Sequence, residues 1–450
     1  MEEAEEFKLD FDTRKEQMHR FPAILRSLDS QYIEPRVVAI GPYHHGSPHL
    51  QKMERVKYAA ANQFIFESGD LSDREVYEAV YLVSGEARGR YGHDSVVAGI
   101  SDDDFVSMRF LDACFLLEFM LFFSNEQLPY DKTLSYFFRS NQELIISDVM
   151  LLENQLPWLV VETLMRFSSV PVQVEMMISR MRKGLTKRRH HIHIGPEEIL
   201  SNLYEDSRPP HLLGLLRFYK ASNKTATKAN ENDVFSTLKR LKARLTGAHK
   251  EMDVPSDQNM PMKTLSSMSI SPGATELAEI GIKLKAIKTG SPTEMAIKKG
   301  HLFGDLSFTP LVLNVSNACL LANMAAFEVC TASWDLCDVQ EMAVCSYLAL
   351  LGMLMDQKED VRDLRRKHLV QELTNQEVFD FFKSLTRHLP VGHSFLLILT
   401  SIEKYQANRR IWVKAHKFIY NNFKTISAVL SVVGILVGIF KTLLSLKQHQ

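Results

Sequence analysis

From Ile426 to Phe440 the chain reads ISAVLSVVGILVGIF, every residue apolar or small; Lys441 interrupts the run, which then resumes through Leu446. At about 1.5 Å of rise per residue, a helix over residues 426–446 spans roughly 30 Å, the thickness of a bilayer's hydrocarbon layer. Lys441 lies close enough to one end for its stem to carry the ammonium toward the headgroups. The pattern predicts one C-terminal transmembrane helix, which leaves the rest of the chain to fold as a separate body in water. A buried core helix is the competing structural reading of such a run.

The flanks of this span carry a direction. Arg409, Arg410, Lys414, Lys417 and Lys424 crowd its N-terminal side in a basic juxtamembrane segment, 401–425, whereas Lys447 alone follows it. Positive charge is retained on the cytosolic side, so the body is expected in the cytosol, with membrane lipid as a partner. The short tail predicts insertion after synthesis ends. The acidic tail, residues 1–20, lacks the basic start and apolar stretch of an export signal. Two sequons, at Asn223 and Asn314, test the orientation, because glycosylation at either would make the body lumenal. Within the span Ser427, Ser431, Gly434 and Gly438 fall on one helical stripe, and Gly434 with Gly438 forms a G-x-x-x-G, the pattern of closely packed membrane helices. A homodimer through this stripe is one expectation; the commonness of glycine in membrane helices is the alternative.

The body has the makings of a folded domain. Hydrophobic residues are 45% and charged residues 24% of the chain, and the formal net charge of −1 offers no general attraction for nucleic acid. The fold class expected is mainly α with a few short β-strands: a large helical body, 21–400, in two halves, 21–179 and 271–400, joined by a basic polar region, 180–270. In the first half, residues 36–40 read as extended before the Gly41-Pro42 turn, 51–66 as a helix with Glu54 and Lys57 paired at i, i+3, and 105–123 as a central buried helix despite Arg109, Asp112 and Glu118. Residues 142–167 read as helix bent or broken at Pro157. In the second half, 274–284 reads as helix, 306–313 as edge-like strand, and 317–347 and 375–400 as helix. The five cysteines, odd in number and without a C-x-x-C pair, read as buried reduced thiols.

Catalytic signatures are absent: no G-x-S-x-G, G-x-x-x-x-G-K, G-x-G-x-x-G or H-E-x-x-H occurs. His44, His45 and His49 follow the Gly41-Pro42 turn and could in principle bind a transition metal, as could His191 and His193, but a structural turn and a solvated loop are the simpler readings. The basic stretch 180–189 reads as a solvated loop, or one lying against anionic lipid. Asp102, Asp103 and Asp104 read as the cap of the helix that follows. Neither a metal nor a cofactor is expected.

Polar residues among apolar neighbours carry the remaining signal. Glu118, Glu153, Asn154, Gln155, Asn323 and Glu328 must find hydrogen-bond partners when the helices pack, which makes them structural fasteners. In order along the chain, Val38-Ala-Ile-Gly-Pro-Tyr-His-His-Gly46, Met53-Glu54 with Lys57, Asp112-Ala-Cys-Phe-Leu-Leu-Glu118, Asp148 with Leu151-Leu-Glu-Asn-Gln-Leu-Pro157, His211-Leu-Leu213, Ala274-Thr-Glu276-Leu277 and Asn323 with Ala326-Phe-Glu328 resemble the signatures of the plant proteins grouped as domain of unknown function 247. The resemblance implies a shared fold and a C-terminal membrane span. It carries over no catalytic residue, since the family has none established. Some grass members are linked to self-incompatibility, which implies a recognition role. The function expected is that of a membrane-anchored, non-enzymatic binding or recognition protein with an unknown protein partner. Two alternatives stand beside it: a hydrolase pairing His44 or His45 with Glu118 or Glu153, and a self-associating membrane scaffold.

Overall fold

A computed structural model describes residues 14–69, 72–124, 131–186, 209–221, 273–287, 293–300, 303–332 and 342–448. His191, His193, the basic run 187–189, Asn223, Cys337 and the first part of the acidic tail lie outside these residues. In chain order the first half contains α1 (Gln51–Glu67), α2 (Asp73–Gly89), the single turn α3 (Ser95–Ala98), α4 (Asp102–Ser124), α5 (Lys132–Asp148), α6 (Trp158–Met165), α7 (Val174–Thr186) and α8 (Leu212–Ala221). Then come α9 (Ala274–Glu279), β1 (Ile282–Ala286), β2 (Met295–Lys299), β3 (Gly304–Phe308), β4 (Leu311–Leu313), α10 (Val315–Thr331), α11 (Ala343–Leu354), α12 (Lys358–Arg366), β5 (Val370–Glu372), α13 (Asn375–Thr386), α14 (His393–Asn408), α15 (Arg410–Asn421) and α16 (Phe423–Gln448). The fold is mainly helical with few short strands.

Helix starts follow local chemistry. Ser72 and Glu75 form a reciprocal capping box at α2, Thr374 and Glu377 another at α13, and the Asp131 carboxylate accepts the Thr133 and Leu134 N–H groups at α5. At α4 the cap is Ser101, whose hydroxyl oxygen accepts the Asp104 N–H at 3.2 Å. The three aspartates expected to cap that helix instead occupy its first turn, where their charge complements the helix dipole.

Helix α4 is apolar around nearly its whole circumference and is enclosed by α1, α2, α6 and α7. A helix without a polar face is stable in water only when surrounded in this way. In the second half α11 plays the same part, buried from Val344 to Leu354 and packed on α10, α13 and α14. Contacts of α5 with α10 and of α7 with β4 join the halves, and one hydrophobic cluster runs from Phe21 to Tyr405.

Several sequence expectations change here. Residues 36–40 form no strand and join no sheet: Arg36 and Val37 lie in a bend, and 38–40 belong to no regular element. The α5 helix ends at Asp148, and a buried turn separates it from α6, which begins after Pro157. Helix α9 stops at Glu279 because Gly281 takes φ +84, and Ile282 begins a strand. Nor is β3 edge-like: it is the middle strand of a three-stranded sheet, parallel to β1 and antiparallel to β2, with Ile282 opposite Gly304 and Met295 opposite Phe308. The alternate residues Leu306 and Phe308 are buried and form its core face. Strands β4 and β5 make a separate parallel pair.

Candidate functional site

The segment from Arg36 to Gly41 obtains its backbone hydrogen bonds from side chains rather than from a neighbouring strand. Asp148, at the end of α5, accepts the N–H groups of Arg36, Val37 and Val38 at 3.0, 2.7 and 2.9 Å. Asn154 accepts the Ile40 N–H at 2.6 Å and donates to the Val38 and Asp148 carbonyls. Asp112, on α4, accepts the Gly41 N–H at 2.8 Å. A buried amide without a partner costs on the order of 1–3 kcal/mol, so these side chains are what permits a strandless segment to run through the core.

Asp112 also meets the fully buried Lys57, whose ammonium lies 2.6 Å from one carboxylate oxygen and 2.7 Å from Glu54. The Glu54–Lys57 pair thus extends inward to a third residue. Two flanking carboxylates raise the Lys57 pKa although burial pulls it down, so the side chain stays charged.

The turn between α5 and α6 is braced from within. Gln155 donates to the Val149, Leu151 and Asn154 carbonyls and accepts the Leu213 N–H at the start of α8. Asn323, on α10, accepts the Leu152 N–H at 2.8 Å and donates to the Tyr32 carbonyl at 2.8 Å. Glu328 accepts from Arg217 at 3.0 Å and from the Val344 and Cys345 N–H groups at the start of α11. His211 accepts the Gly214 N–H at 3.0 Å, and burial pushes its imidazole down to about 3. Pro42 is buried beside Gly41, Pro157 is the residue before α6, and Glu276 faces solvent on α9.

Around the Gly41–Gly46 turn a partly exposed cluster forms. Glu153 accepts the Phe21 N–H and the Arg26 guanidinium, both at 2.8 Å, while its other oxygen lies 3.9 Å from both Arg20 and His44. Arg20 stacks over the Tyr43 ring at 3.7 Å and pairs with Asp94 at 2.9 Å. Burial holds His44 down to about 4, more than the Glu34 charge restores, so this imidazole is neutral near pH 7. His45 is exposed.

Glu118 stands apart. It is fully buried on α4, neither carboxyl oxygen has a hydrogen-bond partner among the described residues, and burial, with Glu67 nearby, raises it to about 9. No hydrogen bond or ion pair among the described residues joins it to His44 or His45. Burial likewise raises the thiols of Cys319 and Cys330 to about 12, and those of Cys114 and Cys345 well above the ordinary range, which disfavours the reactive thiolate. Among the described residues no group of three or more His, Cys, Asp or Glu side chains is arranged to hold a metal.

Asp148, Lys57, His211 and Arg217 fall outside the expected fastener set. By sequence Lys57 is only the i, i+3 partner of Glu54; the signal of its burial is its place on the apolar face with Met53, Ala60 and Phe64. Asp148 and Arg217 act on chain more than 100 residues away. Nothing local in the sequence encodes that pairing.

These features define a class: helical proteins whose body is pinned by buried polar side chains and whose last helix is long and apolar enough to cross a membrane. The family model for DUF247, described as a plant protein of unknown function, matches residues 18–437, and the chain belongs to this family. UPF0481 protein At3g47200 of Arabidopsis thaliana is 26% identical over 380 residues, covering 82% of this chain and 72% of that protein. Putative UPF0481 protein At3g02645, also of Arabidopsis thaliana, is 27% identical over 133 residues, 30% of this chain and 24% of that protein. No solved structure matches.

Proposed function

We propose that the chain is a single-pass membrane protein whose helical body lies in the cytosol and acts by binding another protein rather than by catalysis. The observation that carries the membrane part is α16: residues Phe423–Lys441, 19 in number, form a continuous helix, apolar or small from Ile426 to Phe440, of which nothing is buried against the body. Exposed aliphatic side chains such as Leu430, Ile435 and Leu436 on a helix of that length are strongly unfavourable in water and favourable in lipid. The basic flank supports a cytosolic body. The non-catalytic part is supported by the fasteners other than Glu118, whose polar atoms are engaged in holding backbone, and by the raised thiols.

The test combines carbonate extraction of plant membranes with protease protection of the tagged full chain. A carbonate-resistant protein whose body is digested from the cytosolic side is expected; extraction, or a protected body, overturns the anchor or its direction. Partner capture from the same membranes tests binding, and failure to recover a reproducible partner counts against it.

One observation favours the hydrolase alternative: His44 and Glu153 do lie 3.9 Å apart. Glu153, however, already holds Phe21 and Arg26, and the buried Nε2 of His44 meets no hydroxyl or thiol among the described residues. A charge-neutralised carboxylate and an imidazole without a nucleophile make a poor acid–base pair. The scaffold alternative rests on the Gly434–Gly438 stripe.

A further inference from the structure

Helix α15 joins the body to the apolar helix and has two unlike faces. One face docks on the protein: the His416 ring nitrogen lies 2.9 Å from the Glu279 carbonyl, Lys417 pairs with the Glu279 carboxylate at 2.7 Å, and Trp412 and His416 pack edge-on against Phe303. The opposite face carries Ile411, Ala415 and Phe418, related by i, i+4 and i+7 and so aligned on one stripe. It is open. Ile411 is 87% exposed and Phe418 65%. Arg410 and Lys414 border this stripe, and Lys424 follows at the start of α16; among the described residues none of the three forms an ion pair. No aspartate or glutamate occurs after Glu403, so nothing in this part of the chain offsets that charge.

A stripe of large apolar side chains edged by unpaired cations matches a surface that presents hydrocarbon just beneath negative charge. The site is continuous with the proposed membrane span, since Asn422 alone separates α15 from α16 and the Ile426 N–H donates to the Asn422 carbonyl at 2.9 Å. We propose that α15 is an interfacial helix, lying in the headgroup layer of an anionic phospholipid surface with Ile411 and Phe418 buried among the upper acyl carbons. This rests on the membrane-anchor reading and adds to it: the contacts at Glu279 and Phe303 then hold the body at a fixed orientation against the bilayer, rather than leaving it swinging on a linker.

The test uses the full chain reconstituted in phosphatidylcholine vesicles with and without phosphatidylserine. A Phe418→Cys variant is labelled with bimane, the unsubstituted chain labelled in parallel supplies the background from native thiols, and quenching by lipids bearing a shallow nitroxide is read. Strong quenching that increases with phosphatidylserine is expected, and the increase falls about fivefold or more in each of the charge reversals Lys414→Glu and Lys424→Glu. Quenching equal to that of a label at exposed Tyr136, on helix α5, overturns the proposal. So does quenching indifferent to phosphatidylserine and to both charge reversals. Carbonate extraction of the same vesicles is scored separately and reports only on the anchor, so a surface helix and a spanning helix fail independently.

Discussion

A Cβ placed on Gly41 would lie 2.5 Å from the carbonyl oxygen of Gln155, and Gly41 itself takes φ +78. Backbone therefore passes backbone here with no room for a side chain, in a conformation that L-residues adopt at a cost of roughly 1–2 kcal/mol. Gly46 has nearly the same φ, +77, but open space around it. Gly41→Ala is expected to destabilise the full chain by about 3 kcal/mol or more, and Gly46→Ala by about 1 kcal/mol, in urea unfolding followed by helical circular dichroism. Equal losses would show that φ alone matters and that the close approach to Gln155 is unimportant.

This contrast marks what was legible in the sequence. The Gly-Pro turn, the central helix and the isolated polar residues announce themselves by local pattern, because periodicity and breaker residues act within a few positions. The partners do not. That Asp148 holds Val38, or that Glu328 receives Arg217, is decided by how helices pack across more than 100 residues. Ala274 to Leu284 misleads for another reason: alanine, leucine and glutamate favour helix on propensity, and the sheet contacts of Ile282 and Leu284 override it. Arg109 is the intermediate case. It was visible as a charge in an apolar run, but only packing reveals it stacked on Phe105 at 3.5 Å and donating to the Ser84 carbonyl.

Lys57 and Asp112 form a buried pair, and breaking such a pair from one side leaves a charge without compensation. Lys57→Met is expected to cost about 3–5 kcal/mol. Adding Asp112→Asn removes the orphaned charge while keeping an oxygen for the Gly41 N–H, so the double variant should recover at least about 1 kcal/mol relative to the single one. Additive losses in the same unfolding experiment would show that the two residues contribute separately.

Glu118 and His211 shift stability with pH in opposite directions. A carboxyl raised to about 9 when folded, from an ordinary value of 4.5, keeps its proton in the native state while the unfolded chain releases it. Its contribution is fully present below pH 4.5 and is lost as pH rises toward 9, at about 1.4 kcal/mol per pH unit. Glu118→Gln should therefore flatten the loss of stability between pH 5 and 8. His211, lowered to about 3 from 6.5, contributes stability that is present above pH 6.5 and lost as pH falls. His211→Asn, which keeps an acceptor for the Gly214 N–H, should flatten the acid side instead. Unfolding midpoints collected across pH for the wild type and both variants separate the two effects; parallel curves for all three proteins would exclude both assignments.

The proposed self-association through α16 rests on its glycines rather than on its serines. The Ser431 hydroxyl donates to the Ser427 carbonyl at 2.8 Å one turn back along the same helix, so that donor is satisfied without a second chain. A Cβ at Gly434 or Gly438 meets nothing within 4 Å in the single chain, so larger residues there leave the monomer undisturbed and act only on what approaches from outside. If two copies pack through this stripe, Gly434→Leu with Gly438→Leu should weaken self-association of the full chain in micelles by about tenfold, or ~1.4 kcal/mol, whereas Ser427→Ala with Ser431→Ala should leave it nearly unchanged. Energy transfer between donor- and acceptor-labelled chains measures both. An unchanged signal in the leucine variant would remove the dimer, and a loss in the alanine variant would move the contact from close backbone packing to the hydroxyls.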